Sequence, residues 1–289
     1  MACQLVRHNY GKSRVRISRI TRRDDRHDFI EVTAAISLEG EFDAAYTQDD
    51  NHAVIPTDTM KNTAYALAHD HGIPSLESFA LCLGQHFLDE YAHVIKASIA
   101  LEEHPWVRLK TGEKEQPISF VSAGGELSRC RADCTRQAVH LESGLTGLQV
   151  LKTTESGFRD FHQDRYTTLP ETDDRIFATT IEASWPCKYF HADWGQARRA
   201  IRAALLQVFA EQYSPSVQAT LYRMATTAFE HCEAIDEISI TMPNQHHLLA
   251  NLEPLDITNR NVTFVPSSEP FGLISATVRR GETRSTETT

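Results

Sequence analysis

One arrangement of residues occurs twice along this chain and restricts its fold more than any single motif. Leu76, Phe79, Ala80, Leu83, Phe87 and Tyr91 recur at helical spacing after Pro74-Ser75, just behind a helical stretch that begins near Thr57 and keeps Met60, Ala64, Leu67 and Ala68 on one face. Further on, Trp194, Ala197, Ile201, Leu205, Val208 and Phe209 form a second stripe, and Val217, Leu221, Met224, Ala228 and Phe229 follow Ser214-Pro215. A proline stands at the start of the later helix in each pair. Around the first pair, segments near 13–22, 28–39, 93–101 and 106–110 alternate or are rich in β-branched residues, as strands require; 145–153, 175–185, 236–242, 246–252 and 272–279 do so around the second. The order reads as two copies of ββ-αα-ββ, residues 1–137 and 138–289. The expected class is α+β, an antiparallel sheet with helices on one face. Its other face must be covered or solvated, and its edges can close into a barrel through partner subunits.

Composition narrows the classes further. With 289 residues, 41% of them hydrophobic and 24% charged, the chain can bury one large core or two smaller ones, which excludes disordered and collagen-like classes. A net charge of −10 argues against nucleic-acid binding, which favours a basic footprint. The arginines and Lys12 between Arg7 and Arg26 form a cationic block, read as a solvated strand face that an anionic substrate could still use. No window approaches the roughly 18 apolar residues of a membrane span, and the N-terminus reaches charge too soon for a signal peptide, so a cytoplasmic protein without membrane association is expected. Six scattered cysteines suggest reduced thiols. The tail GETRSTETT is polar, is expected to be mobile and carries no peroxisomal tripeptide.

Several polar residues stand where elements begin or end. Thr57-Asp58-Thr59 opens a helix and has the side chains of a cap. Asn244 and His246, if extended, project to one side. Ser216-Val217-Gln218 opens another helix, Arg175 follows Asp173-Asp174 just before a strand, Phe158 sits in a loop beside Gly157, and Lys12 follows Gly11. Taken singly, each has an ordinary structural explanation. His69-Asp70-His71, His246-His247 and Cys130-x-x-x-Cys134 lack the convergence or spacing of a metal site, so no metal is expected. GxGxxG, GxxxxGK[ST] and GxSxG are absent, which removes the usual cradles for nucleotide cofactors and the hydrolase elbow.

Together these positions resemble the urate oxidase family. The likeness runs from about Tyr10 to Val278 and rests on YGKSRVR (10–16), TDTMKNT (57–63), SGLTGLQVLK (143–152), YTTLPETDDR (166–175), SVQATLYRMA (216–225) and PNQHH (243–247). The resemblance implies two tandem tunnelling-fold units and oxidation of urate by O2 to 5-hydroxyisourate with release of hydrogen peroxide, without cofactor. It implies that Arg175 and Gln218 grip one edge of the purine, that Phe158 stacks on its face, and that the Val217 backbone adds a contact. Lys12, Thr57 and His246 would form a proton relay, Asn244 would hold the O2 or water site, and Asp58 would join Thr57 at the substrate edge. A homo-oligomer, usually a tetramer with sites shared between subunits, is implied too. Two other readings stay open: a tunnelling-fold enzyme acting on pterins, and a purine-binding protein that has lost turnover.

Overall fold

The structure is a computed structural model that describes residues 3–188 and 193–281; the expected mobile tail lies, past Gly281, outside the described residues. The chain divides into two compact units, Met1–Leu145 with Pro186–Phe190 and Thr146–Trp185 with His191–Thr289.

In the first unit β1 (Tyr10–Arg22) and β2 (His27–Gly40) lead through a short α1 (Asp43–Thr47) to α2 (Thr57–Asp70) and α3 (Leu76–Glu90). Strand β3 (Val94–Glu103), a separate β4–β5 hairpin (Trp106–Thr111, Lys114–Ser122) and β6 (Leu127–Thr135) follow, and the sheet order is β1-β2-β3-β6. All its pairings are antiparallel. Alternate side chains Val32, Ala34, Ile36 and Leu38 of β2 and Ala97, Ile99 and Leu101 of β3 are buried, while their neighbours are not. That period of two turns one face to the helices: α2 packs on β1, and α3 on β3 and β6. Gly84 permits the α3 contact, because a Cβ there would meet Cys134 Sγ at 2.5 Å. Each leucine or phenylalanine buried in such a layer contributes roughly 1.5–3 kcal/mol.

Strand β7 (Val139–Lys152) carries the chain into the second unit, where β8 (Phe177–Pro186), α4 (Trp194–Glu211), α5 (Val217–His231), β9 (Glu237–Leu249) and β10 (Phe264–Arg279) repeat the plan. Its order is β7-β8-β9-β10, with α5 packed on β9 and β10. The repetition reaches single hydrogen bonds. Ser75 caps α3 by accepting from the Ser78 N–H at 3.0 Å, and Ser216 caps α5 by accepting from the Ala219 N–H at 3.1 Å, each proline lying just before its cap. At the other end Arg136 donates to the Leu88, Tyr91 and Val94 carbonyls, while Arg280 donates to those of Phe229, Cys232 and Ile235. A guanidinium across a helix C-terminus satisfies carbonyls that the helix itself leaves open.

The α+β architecture agrees with the sequence reading, but some elements differ. The two strands expected at 236–242 and 246–252 are the single β9, since Pro243 lacks an N–H yet still pairs opposite Leu273 in β10. Strands β5 and β6 were not anticipated: β5 is polar and contains Pro117, and the buried face of β6 is Cys130, Ala132 and Cys134, without β-branched residues. Much of the cationic block is paired: Arg16 with Glu31 at 2.7 Å, Arg23 with Asp28 at 2.8 Å, and Arg19 with the Ala68 carbonyl at 2.9 Å. None of the six cysteines forms a disulfide among the described residues. Among the described residues no helix is long and apolar enough to cross a membrane.

Candidate active site

The second unit holds a cavity of about 480 Å3 lined by Phe158, Arg175, Val217, Gln218, Asn244 and His246 among others. The loop before β8 fixes the first two. Phe158 and Thr172 exchange backbone hydrogen bonds of 2.8 and 3.1 Å, and the Arg175 N–H donates to the Ser156 carbonyl at 2.8 Å. Gly157 is required between them, because a Cβ there would meet Tyr213 Oη at 2.2 Å. Arg175 Cζ stands 5.4 Å from the Phe158 ring centroid, and Phe161 stacks on Phe158 with centroids 4.8 Å apart and planes 11° from parallel.

Arg175 is the unusual member of this group. Burial pushes its pKa down, its Nε is buried without a hydrogen-bond partner, and among the described residues no carboxylate pairs with it. An uncompensated, partly desolvated guanidinium costs stability and is retained where an anion completes it. Planar geometry suits it to two parallel bonds on a flat, carbonyl-edged ligand. Beside it the first turn of α5 presents Val217 and the exposed Gln218 amide, with Ser216 engaged on the Ala219 N–H. A helix N-terminus of this kind favours negative charge.

Strand β9 supplies the remaining wall. Asn244, Gln245, His246 and His247 all line the cavity, so strict alternation does not hold along this stretch, and the Gln245 amide also donates to Thr180 Oγ at 3.1 Å. Opposite this tripeptide the β10 register jumps from Ser267 against His246 to Gly272 against Asn244, so the partner strand bulges there. His247 also lines the cavity, with its Nδ1 buried and unpaired. Neither His247 nor Phe161 was singled out as a ligand-site residue from sequence. Phe161 follows Phe158 through irregular chain, where no periodicity gives it away.

Lys12, Thr57 and Asp58 belong to the first unit. The expected capping role of Thr57 is not seen: Pro56 holds the cap position of α2, no side chain caps, and Thr57 is the first helical residue. Its hydroxyl makes no hydrogen bond among the described residues. Asp58 accepts from Lys61 and, at 3.0 Å, from Asn62 Nδ2; Lys61 first, and Lys12 more weakly, hold its carboxyl below the usual range. Tyr10 Oη accepts the Ile55 N–H at 2.8 Å, which ties the start of β1 to the entry of α2 and keeps Lys12 near Asp58. Lys12 itself precedes a bulge in which Arg14 has φ 58°. The expected site residues therefore form a first-unit group and a second-unit group, with His246 in the latter. Among the described residues no three His, Cys, Asp or Glu side chains are grouped to hold a metal ion.

Two tandem ββ-αα-ββ units, one with a cavity that joins an unpaired arginine, an aromatic ring and a helix N-terminus, define a tunnelling-fold protein. The family model for uricase matches residues 8–133 and 141–275. A uricase of Danio rerio is 36% identical over 96% of this chain and 95% of its own, and one of Arthrobacter globiformis is 36% identical over 97% and 91%. The crystal structure of the Arthrobacter globiformis uricase superposes with a TM-score of 0.91, covering 98% of this chain and 97% of that one. The chain belongs to the uricase family, and its activity is the oxidation of urate.

Proposed function

We propose that the chain oxidises urate with O2 and water to 5-hydroxyisourate and hydrogen peroxide, without metal or organic cofactor. The carrying observation is the unpaired Arg175 set over Phe158 in a cavity that also exposes Gln218, Asn244 and His246. Urate is a flat anion at neutral pH, edged with carbonyl oxygens and N–H groups. Arg175 and Gln218 pair with one edge, the Val217 N–H adds a donor, and Phe158 covers one face, its own far side backed by Phe161.

Such a purine anion is electron-rich enough to be the reductant itself. Two electrons pass from urate to O2, two protons complete hydrogen peroxide, and water adds its hydroxyl to the oxidised purine. The protein's task is then orientation and proton transfer. Lys12, Thr57 and His246 carry the protons, Asn244 holds O2 or water over the ring, and Asp58 adds a contact at the Thr57 edge. The uncapped Thr57 hydroxyl supports this reading, since α2 does not use it. One site draws Lys12, Thr57 and Asp58 from one copy of the chain and the purine pocket from another, in a homo-oligomer, a tetramer, working in the cytoplasm. The two tunnelling-fold units are taken as 1–137 and 138–289.

The test follows urate absorbance, O2 uptake and peroxide together in chelator-treated protein. Equal molar amounts of all three are expected. Urate loss without O2 uptake, or activity that returns only with added metal, would refute the proposal.

A further inference from the structure

Arg175 and Phe158 stand on the loop before β8, and Val217 and Gln218 on the first turn of α5. A flat ligand held by all four depends on how that loop is set against that helix. Ser214 makes the junction. Its backbone N–H donates to the Glu155 carbonyl and its carbonyl accepts the Gly157 N–H, both at 2.9 Å, so the two bonds bracket Ser156 in a parallel bridge. The Ser156 carbonyl in turn accepts the Arg175 N–H at 2.8 Å. On the helix side the Thr220 hydroxyl, at the end of the first turn of α5, donates to Ser214 Oγ at 2.8 Å and lies 3.0 Å from the Ser216 carbonyl. A path of hydrogen bonds thus runs from Arg175 through Ser156, Ser214 and Thr220 to the turn that carries Val217 and Gln218.

Burial sets this path apart. Ser214 and Thr220 are 1% and 2% exposed, so water cannot take the place of either hydroxyl. Arg223 of α5 also reaches the junction, donating to the Tyr213 carbonyl at 2.8 Å, but in a bond exposed to solvent. The first unit shows that packing alone does not need the hydroxyls. Ser75 and Ser216 cap their helices at matching places, an offset of 141 residues, on which Glu77 corresponds to Gln218 and Ile73 and Phe79 to Ser214 and Thr220. Ile73 and Phe79 are buried, so the same plan seats α3 on apolar side chains. A buried hydroxyl pair fixes distance and angle where apolar contact is non-directional.

We propose that Ser214 and Thr220 are positioning residues for urate, their buried hydroxyl pair holding the Arg175–Phe158 loop in register with Val217 and Gln218. The inference rests on the reading of this cavity as the urate site. Neither residue is among those that line the cavity, and both act through side chains that do. Without the pair the loop shifts against α5, and the Arg175 fork and the Gln218 amide no longer meet one purine edge together.

The test compares Thr220→Val, Thr220→Ser and Ser214→Ala in the intact oligomer, by titration with a xanthine-type urate analogue that is not oxidised, steady-state urate kinetics and thermal melts. Thr220→Val keeps the shape and removes the hydroxyl. It and Ser214→Ala are expected to weaken analogue binding and raise KM together by about tenfold, the effect of one charge-assisted bond out of place. Thr220→Ser keeps the hydroxyl and is expected to stay within about twofold of the parent in both readings. Arg280→Ala, which loosens the other end of α5, is the stability control and should lower the melting temperature at parental affinity. Parental affinity in folded Thr220→Val and Ser214→Ala overturns the proposal, as does an equal loss of affinity in Thr220→Ser or in Arg280→Ala. Ser214→Ala keeps the test open where Thr220→Val fails to fold. Arg175→Ala separates the two readings: parental affinity there refutes the cavity as the urate site, whereas its loss beside parental affinity in Ser214→Ala refutes the positioning role alone.

Discussion

The first and second units share a plan down to an arginine clamp on one helix end and a serine cap on the other, yet in the cavity of the second Arg175 stands without a carboxylate partner among the described residues. In the first, Asp28 is held by Arg23 and Arg108, and Glu77 lies buried against Ser143. In the second, Arg175 and Gln218 face an open cavity. The difference teaches that satisfied polar groups make scaffold and unsatisfied ones make a site. A paired ion has little left to gain from a ligand, whereas a desolvated, unpaired one gains its missing bonds on binding.

Four variants would break or sharpen that contrast. Lys12→Met and Thr57→Ala should have the largest effect, lowering kcat by roughly 10²–10⁴-fold, the usual worth of positioned proton transfer, with analogue binding retained. Stopped-flow turnover beside equilibrium titration measures the split, and an unchanged kcat in both would remove the relay. Arg175→Ala should weaken analogue binding roughly 10²-fold, since charge-assisted bonds to an anion contribute about 1.5–3 kcal/mol each. Gln218→Glu, which makes the second unit acidic as the first is, should raise the urate KM by about tenfold or more. Unaltered KM would show that the amide is not read by the substrate.

The smallest effect is a symmetric one. Arg136→Ala and Arg280→Ala each release a helix C-terminus, so each should cost about 1–3 kcal/mol of stability and leave KM unaltered, as thermal melts and steady-state rates would show. A fall in only one of the two variants would show that the clamps are not equivalent.

How far the sequence disclosed this depended on the range of the interactions involved. Helices α2 to α5 were legible because Met60, Leu83, Leu205 and Met224 belong to apolar stripes that local spacing alone reveals. The continuity of β9 was hidden, because Pro243 reads locally as a break while its pairing with Leu273 depends on a distant strand. Thr57 has a capping side chain, and only the backbone geometry shows that Pro56 takes the cap position. The residue types at the pocket were legible through their motifs. The lone state of Arg175, the Phe161 stack and the sealing of Glu77 depend on contacts between segments that spacing does not encode.

A crystal structure of the oligomer soaked with an unoxidised, xanthine-type urate analogue bears most directly on the contrast between the units. The expected density lies flat on Phe158 with one edge on Arg175 and Gln218, and none lies beside Glu77. Density at Glu77, or a purine bound away from Arg175, would contradict it.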